Sequence, residues 1–139
     1  MEPMNLTYDV LADDFTRAGE ASGAVKSVLK RLGIPPDVIR RVAIAMYEGE
    51  INMVIHAKGG KITVNVLPDE INITLADVGP GIPDIDLAMT EGYSTASDEV
   101  RDLGFGAGMG LPNMKKYADD IDLQTELGVG TTVKLIVKV

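Results

Sequence analysis

The 139 residues carry a formal charge of -8, a sequence pI near 4.5, 45% hydrophobic residues and no Cys or Trp. That charge, with no basic patch in view, argues against a nucleic-acid backbone as partner, and zero Cys removes disulfides, thiolate metal sites and cysteine nucleophiles together. The length suits one domain, residues 1–139, with a core of Ile, Val, Leu and Met; no basic leader opens the chain and no apolar run approaches the roughly 20 residues that span a bilayer, so a soluble, cytoplasmic protein without a membrane partner is expected.

Residues 4–11 alternate loosely and predict a first strand, after which Asp13-Asp14 offers a helix cap. A helix follows from about Phe15 to Leu32 with Gly33 as its stop signal; its internal Gly19 and Gly23 serve either close packing or a partner surface. Pro35-Pro36 pre-sets a second helix, with Asp37 in its first turn, running to Ala57 before Gly59-Gly60. The period then changes from 3.6 to 2. Ile62, Val64 and Val66, a turn at Pro68-Asp69-Glu70, and Ile71, Ile73 and Leu75 predict an antiparallel hairpin. A Gly-rich stretch from Asp77 to Gly110, broken by the charged run 97–102, is too long and aperiodic for an ordinary connection and is either functional or disordered. A helix from about Leu111 to Asp119 and a second hairpin, Ile121 to Glu126 and Thr131 to Val139, close the chain, with Val133, Leu135 and Val137 toward the core. This order predicts an α+β, two-layer α/β sandwich with helices on one face of a mixed, mostly antiparallel sheet.

Four segments bear on chemistry. In Met46 to Ala57, Glu48, Asn52 and His56 stack on one helix face, while Ile44, Met46, Ile51, Met53, Val54 and Ile55 make the other sides apolar. A carboxylate on a largely buried helix needs a partner, and a hard cation on phosphates suits a carboxylate and a carboxamide one turn apart. Asp77-Val78-Gly79-Pro80-Gly81-Ile82-Pro83 puts a carboxylate at a strand end before glycines: either ordinary turn chemistry or an acceptor for the amino group of a planar base. Gly104-Phe105-Gly106-Ala107-Gly108-Met109-Gly110-Leu111 runs into a helix, so its backbone N–H groups can cradle phosphate, the other reading being a flexible linker. Neither a Walker A loop nor Gly-x-Gly-x-x-Gly fits that spacing. Lastly, Gly130-Thr131-Thr132-Val133 brings a hydroxyl into the last strand, where threonine is by itself unremarkable.

Together and in this order, the four segments resemble the ATP-binding domain, with its Bergerat-type fold, shared by gyrase, the related heat-shock chaperone, sensor histidine kinases and the mismatch-repair ATPase. The resemblance implies ATP and Mg²⁺ as cofactors, Glu48 as general base, and Asn52 as the magnesium ligand of a Glu-x-x-x-Asn box. It implies that Asp77 recognises the adenine amino group, that Gly79, Gly81 and Ile82 shape the pocket, and that Thr132 completes the adenine contact. Gly104, Gly106, Gly108, Met109, Gly110 and Leu111 would form the lid over the phosphates, with Thr95 in the same set and His56 lining the site or packed in the core rather than accepting phosphate.

Within that superfamily the chain resembles small bacterial serine/threonine protein kinases of sigma-factor partner switching. Anti-sigma kinases place an Arg just before Gly-Met-Gly, where this chain has Gly106-Ala107, so Arg101 is the candidate substitute at the γ-phosphate. The segments 77–85, 91–95 and 108–112 are more similar to the switch-kinase branch, while the charged insert departs from its compact loop. The implied substrate is a small antagonist-type domain, with a sigma factor or a downstream phosphatase as further partners and a homodimer through the first strand and the Gly19 and Gly23 face. The alternative to a kinase is a nucleotide-dependent binding module with little phosphoryl transfer.

Overall fold

A computed structural model describes residues 3–11, 17–57, 59–82, 89 and 110–139. The elements run β1 (Met4–Leu11), α1 (Glu20–Arg31), α2 (Pro36–His56), β2 (Gly59–Val66), β3 (Glu70–Asp77), α3 (Gly110–Tyr117), β4 (Asp120–Glu126) and β5 (Gly130–Lys138). The strands form one sheet in the order β1-β2-β3-β5-β4, and every described pairing is antiparallel, so the expected mixed component is absent among them.

Register follows from the period-2 pattern, because any slip by one residue would turn the apolar set to the wrong face. Leu6, Val64, Ile73, Leu135 and Ile121 lie in one row across all five strands, and Tyr8, Ile62, Leu75, Val133 and Leu123 in the next. These rows meet Ala21, Val25 and Leu29 of α1, Val38, Val42, Ala45, Met46 and Met53 of α2, and Leu111 and Met114 of α3 in one core. The residues between them, such as Thr7, Thr63, Thr74, Lys134 and Asp122, form polar rows on the opposite face. One apolar and one polar sheet face is the physical reason for two layers.

Several boundaries move. The helix expected from Phe15 begins at Glu20, and Gly19 is its N-terminal flank rather than an interior residue, at φ 92° with no side-chain cap of its own. The proposed cap at Asp13-Asp14 lies outside the described residues. Gly33 does stop α1: its N–H reaches the Lys30 carbonyl at 3.1 Å and the Ile34 N–H reaches Leu29 at 3.2 Å, the paired bonds of a Schellman ending. Gly59-Gly60 not only end α2 but open β2, pairing with Leu11 and Val10. No helix among the described residues is long and apolar enough to cross a membrane.

Candidate functional site

The centre of α2 fixes the site. Gly49 lies against the sheet so closely that a Cβ on it would stand 2.5 Å from a Leu75 methyl and 3.2 Å from the Met114 sulfur. Glycine allows that approach without displacing either side chain, and it brings α2, β3 and α3 together at one point. The residues on either side of Gly49 then leave in different directions. Glu48 is half-buried at the α2–α3 contact, where its Oε1 accepts a hydrogen bond from Asn113 Nδ2 at 3.2 Å. Asn52, one turn on, is also half-buried.

Glu50 turns toward α1 and is buried, at 3% exposure. Its Oε2 accepts from the N–H groups of Gly19 at 3.0 Å and Ala21 at 3.2 Å, and its Oε1 from that of Ser22 at 3.0 Å. These are the orphan donors of a helix start, where the helix dipole also favours negative charge. The cap that α1 lacks in its own sequence is therefore supplied from α2. Sequence reading missed Glu50; the signal was a second carboxylate on the side of α2 that the periodicity makes apolar.

Asp77, at the end of β3, builds the other half of the site. Its Oδ1 accepts the Thr131 N–H at 2.8 Å, and Gly130 passes so close to the Asp77 carbonyl that a side chain there would collide with it. Burial pushes the Asp77 carboxyl above the usual carboxylate range, partly countered by the Thr131 bond. Among the described residues Oδ2 has no hydrogen bond, so one carboxylate oxygen is held and the other is available to a ligand.

The segment after Asp77 is laid on the β4–β5 turn. Gly79 donates to the Val129 carbonyl at 3.1 Å, Gly128 to Pro80 at 2.9 Å, and the Ile82 N–H to Thr125 Oγ1 at 2.8 Å. Gly81 has φ 79°, and a Cβ on it would meet the Glu126 carbonyl at 2.7 Å, so both conformation and space require glycine. The two halves adjoin: Leu75, two residues before Asp77, touches Gly49, and the space beside Gly60 is closed by both Met53 and the Asp77 backbone.

Thr132 needs correction. Successive side chains of a strand face opposite ways, and Thr132 falls in the outward row with Ala76 and Gln124. Thr131 lies on Asp77's face, is buried, and pairs its hydroxyl with that of Thr125 at 2.9 Å. Gly110 opens α3 and Leu111 is buried in the core. Thr95, Arg101, Gly104, Gly106, Gly108 and Met109 lie outside the described residues, as does the side chain of His56, whose backbone closes α2.

The parts fit an adenine nucleotide. The free Oδ2 of Asp77 suits an exocyclic amino donor, the close-packed glycines let a planar base approach backbone, and Asn52 offers an oxygen for a hard cation beside Glu48.

Comparison with known proteins agrees with this geometry. Serine/threonine-protein kinase RsbT of Bacillus subtilis is 32% identical over 115 residues, covering 80% of this chain and 80% of that protein. Anti-sigma F factor of Clostridium acetobutylicum is 34% identical over 119 residues, covering 82% and 78% respectively. The crystal structure of the RsbU and RsbW domains of Rv1364c from Mycobacterium tuberculosis superposes with a TM-score of 0.58 at 15% identity, over 99% of this chain and 32% of that one, a likeness of fold. The profile of histidine kinase-, DNA gyrase B- and HSP90-like ATPases matches residues 37–139, and the chain belongs to that family.

Proposed function

We propose that the protein is an ATP- and Mg²⁺-dependent serine/threonine protein kinase that phosphorylates a small antagonist-type domain in a partner-switching system. One observation carries this reading: Glu48, held by Asn113, stands one turn from Asn52 on the helix that packs beside the Asp77 end of β3. MgATP, when bound, supplies the phosphoryl group that is transferred. Asp77 Oδ2 accepts the adenine amino group while Thr131 fixes Oδ1, and Gly79 and Gly81 keep the backbone low enough for the base to lie against it. Asn52 contributes an oxygen to the metal, and Glu48 takes the proton from the attacking hydroxyl. Thr95, Arg101 and the glycines from Gly104 to Gly110 belong to this proposal as phosphate contacts. Ser/Thr kinase activity is the named activity of the Bacillus relative.

The second reading is a nucleotide-dependent binding module, favoured by the anti-sigma F factor names among the relatives. In it, a sigma factor or a phosphatase is held in a stable complex. Either form works in the cytoplasm, and the exposed edge strand β1 with the open Gly23 face of α1 is the surface for a homodimer. Incubation with MgATP and small antagonist domains, read by intact mass, separates the readings. A gain of one phosphate on the acceptor is expected; a stable complex without phosphate supports the module and removes the kinase.

A further inference from the structure

We infer that Asn113 is a positioning residue for Glu48, aiming the base from the helix that follows the glycine-rich stretch. This rests on the reading of Glu48 as general base. Three features support it. An ionised carboxylate only accepts hydrogen bonds, so the group facing Glu48 Oε1 at 3.2 Å is the Asn113 amide N–H₂, which orients the base without neutralising it. A cation in that place would stabilise the carboxylate more strongly and weaken it as a proton acceptor.

The contact is also doubled. Asn113 meets Glu48, and the next residue, Met114, 1% exposed, meets Gly49, the residue next to Glu48. Adjacent pairs in contact across two helices fix α3 against α2 in both translation and rotation. With Leu111 also buried and Pro112 in the first turn, the Asn113 side chain has a set origin.

Finally, α3 begins at Gly110, the last glycine of the stretch assigned to the phosphates. Any displacement of the first turn of α3, which opens at Gly110, displaces the donor to Glu48. The base is thereby aimed only when α3 is seated, and a misplacement on the order of 1 Å at such a group costs about 10²-fold in rate.

The test follows phosphoryl transfer from MgATP to the small antagonist domain of the proposed reaction, read by intact mass, in the full chain. Asn113→Ala is expected to lower kcat by about 10-fold with KM for ATP unchanged, and Asn113→Asp, of equal size but repelling Glu48, to lower it further. In a Glu48→Gln background, Asn113→Ala is expected to cost nothing more. An unchanged kcat for Asn113→Ala beside an impaired Glu48→Gln overturns the inference alone, as does an equal loss in both backgrounds. No transfer to the acceptor by the unsubstituted chain, or a Glu48→Gln protein as fast as it, overturns the assignment of Glu48 and the inference with it.

Discussion

Glu48 and Glu50 sit two positions apart on the same helix and have opposite surroundings. Glu50 is buried and receives three backbone N–H groups from the start of α1. Glu48 is half-buried and receives one side-chain amide at 3.2 Å. A carboxylate whose lone pairs are spent on fixed donors is a structural part; one with spare acceptor capacity at a helix contact can take a proton. Gly49 between them makes both possible, since α2 must lie flat on Leu75 for its two flanks to reach α1 and α3.

This contrast can be broken from either side. Glu48→Gln is expected to slow phosphoryl transfer by about 10²- to 10⁴-fold while leaving the melting temperature unchanged. Rate and melting curves on one preparation check both halves of that statement. Glu50→Ala leaves the first donors of α1 without a partner, two of them in buried bonds, and is expected to cost about 3 kcal/mol, lowering Tm by roughly 10 °C. Equal melting of the Glu50→Ala and unsubstituted proteins would remove the structural role given to this residue.

Asp77→Asn sharpens the comparison at a site that combines both behaviours. Because Oδ1 is tied to the Thr131 N–H, an Asn must place its amide N–H₂ where Oδ2 stood, donor against the base's donor. Adenine nucleotide affinity should fall by about 100-fold, equivalent to about 2.7 kcal/mol, as read by calorimetric titration. Stability should move the other way. The folded-state carboxyl of Asp77 is pushed up by burial, so its contribution is largest at acid pH and is lost as pH rises through the raised value. The Asn protein, which does not titrate there, gains relative stability across that window.

Asp119 has the reverse sign and the smallest effect. The Lys138 N–H at 2.6 Å, and after it Arg41, hold its carboxyl below the usual range, so its contribution is present at neutral pH and lost as pH falls through the lowered value. Because the group is a third exposed, Asp119→Asn should cost under about 1 kcal/mol, seen in chemical denaturation at pH 7 and shrinking toward pH 3.

What the sequence disclosed depended on whether a residue's partner is local. The inward sheet rows and the helix stop at Gly33 follow from period and short-range chemistry, and both were legible. Glu50 and Asn113 were not, because their partners lie 28 to 31 and 65 residues away respectively and no local rule pairs them. Thr131 and Thr132 are equivalent as sequence; only the register of β5 against β3 and β4 puts Thr131 beside Asp77. Gly19 was read as a helix interior because the cap that marks the start of α1 comes from another helix.

The most direct measurement is a titration of the protein with MgATP and, separately, with MgGTP. In the proposed site, with Oδ1 held by Thr131, Asp77 Oδ2 would accept from the amino group of adenine and repel the carbonyl oxygen that guanine carries at the same ring position, so ATP should bind and GTP should bind about 100-fold more weakly. Equal affinity for the two nucleotides, or binding of neither, would contradict an adenine nucleotide site at the end of β3.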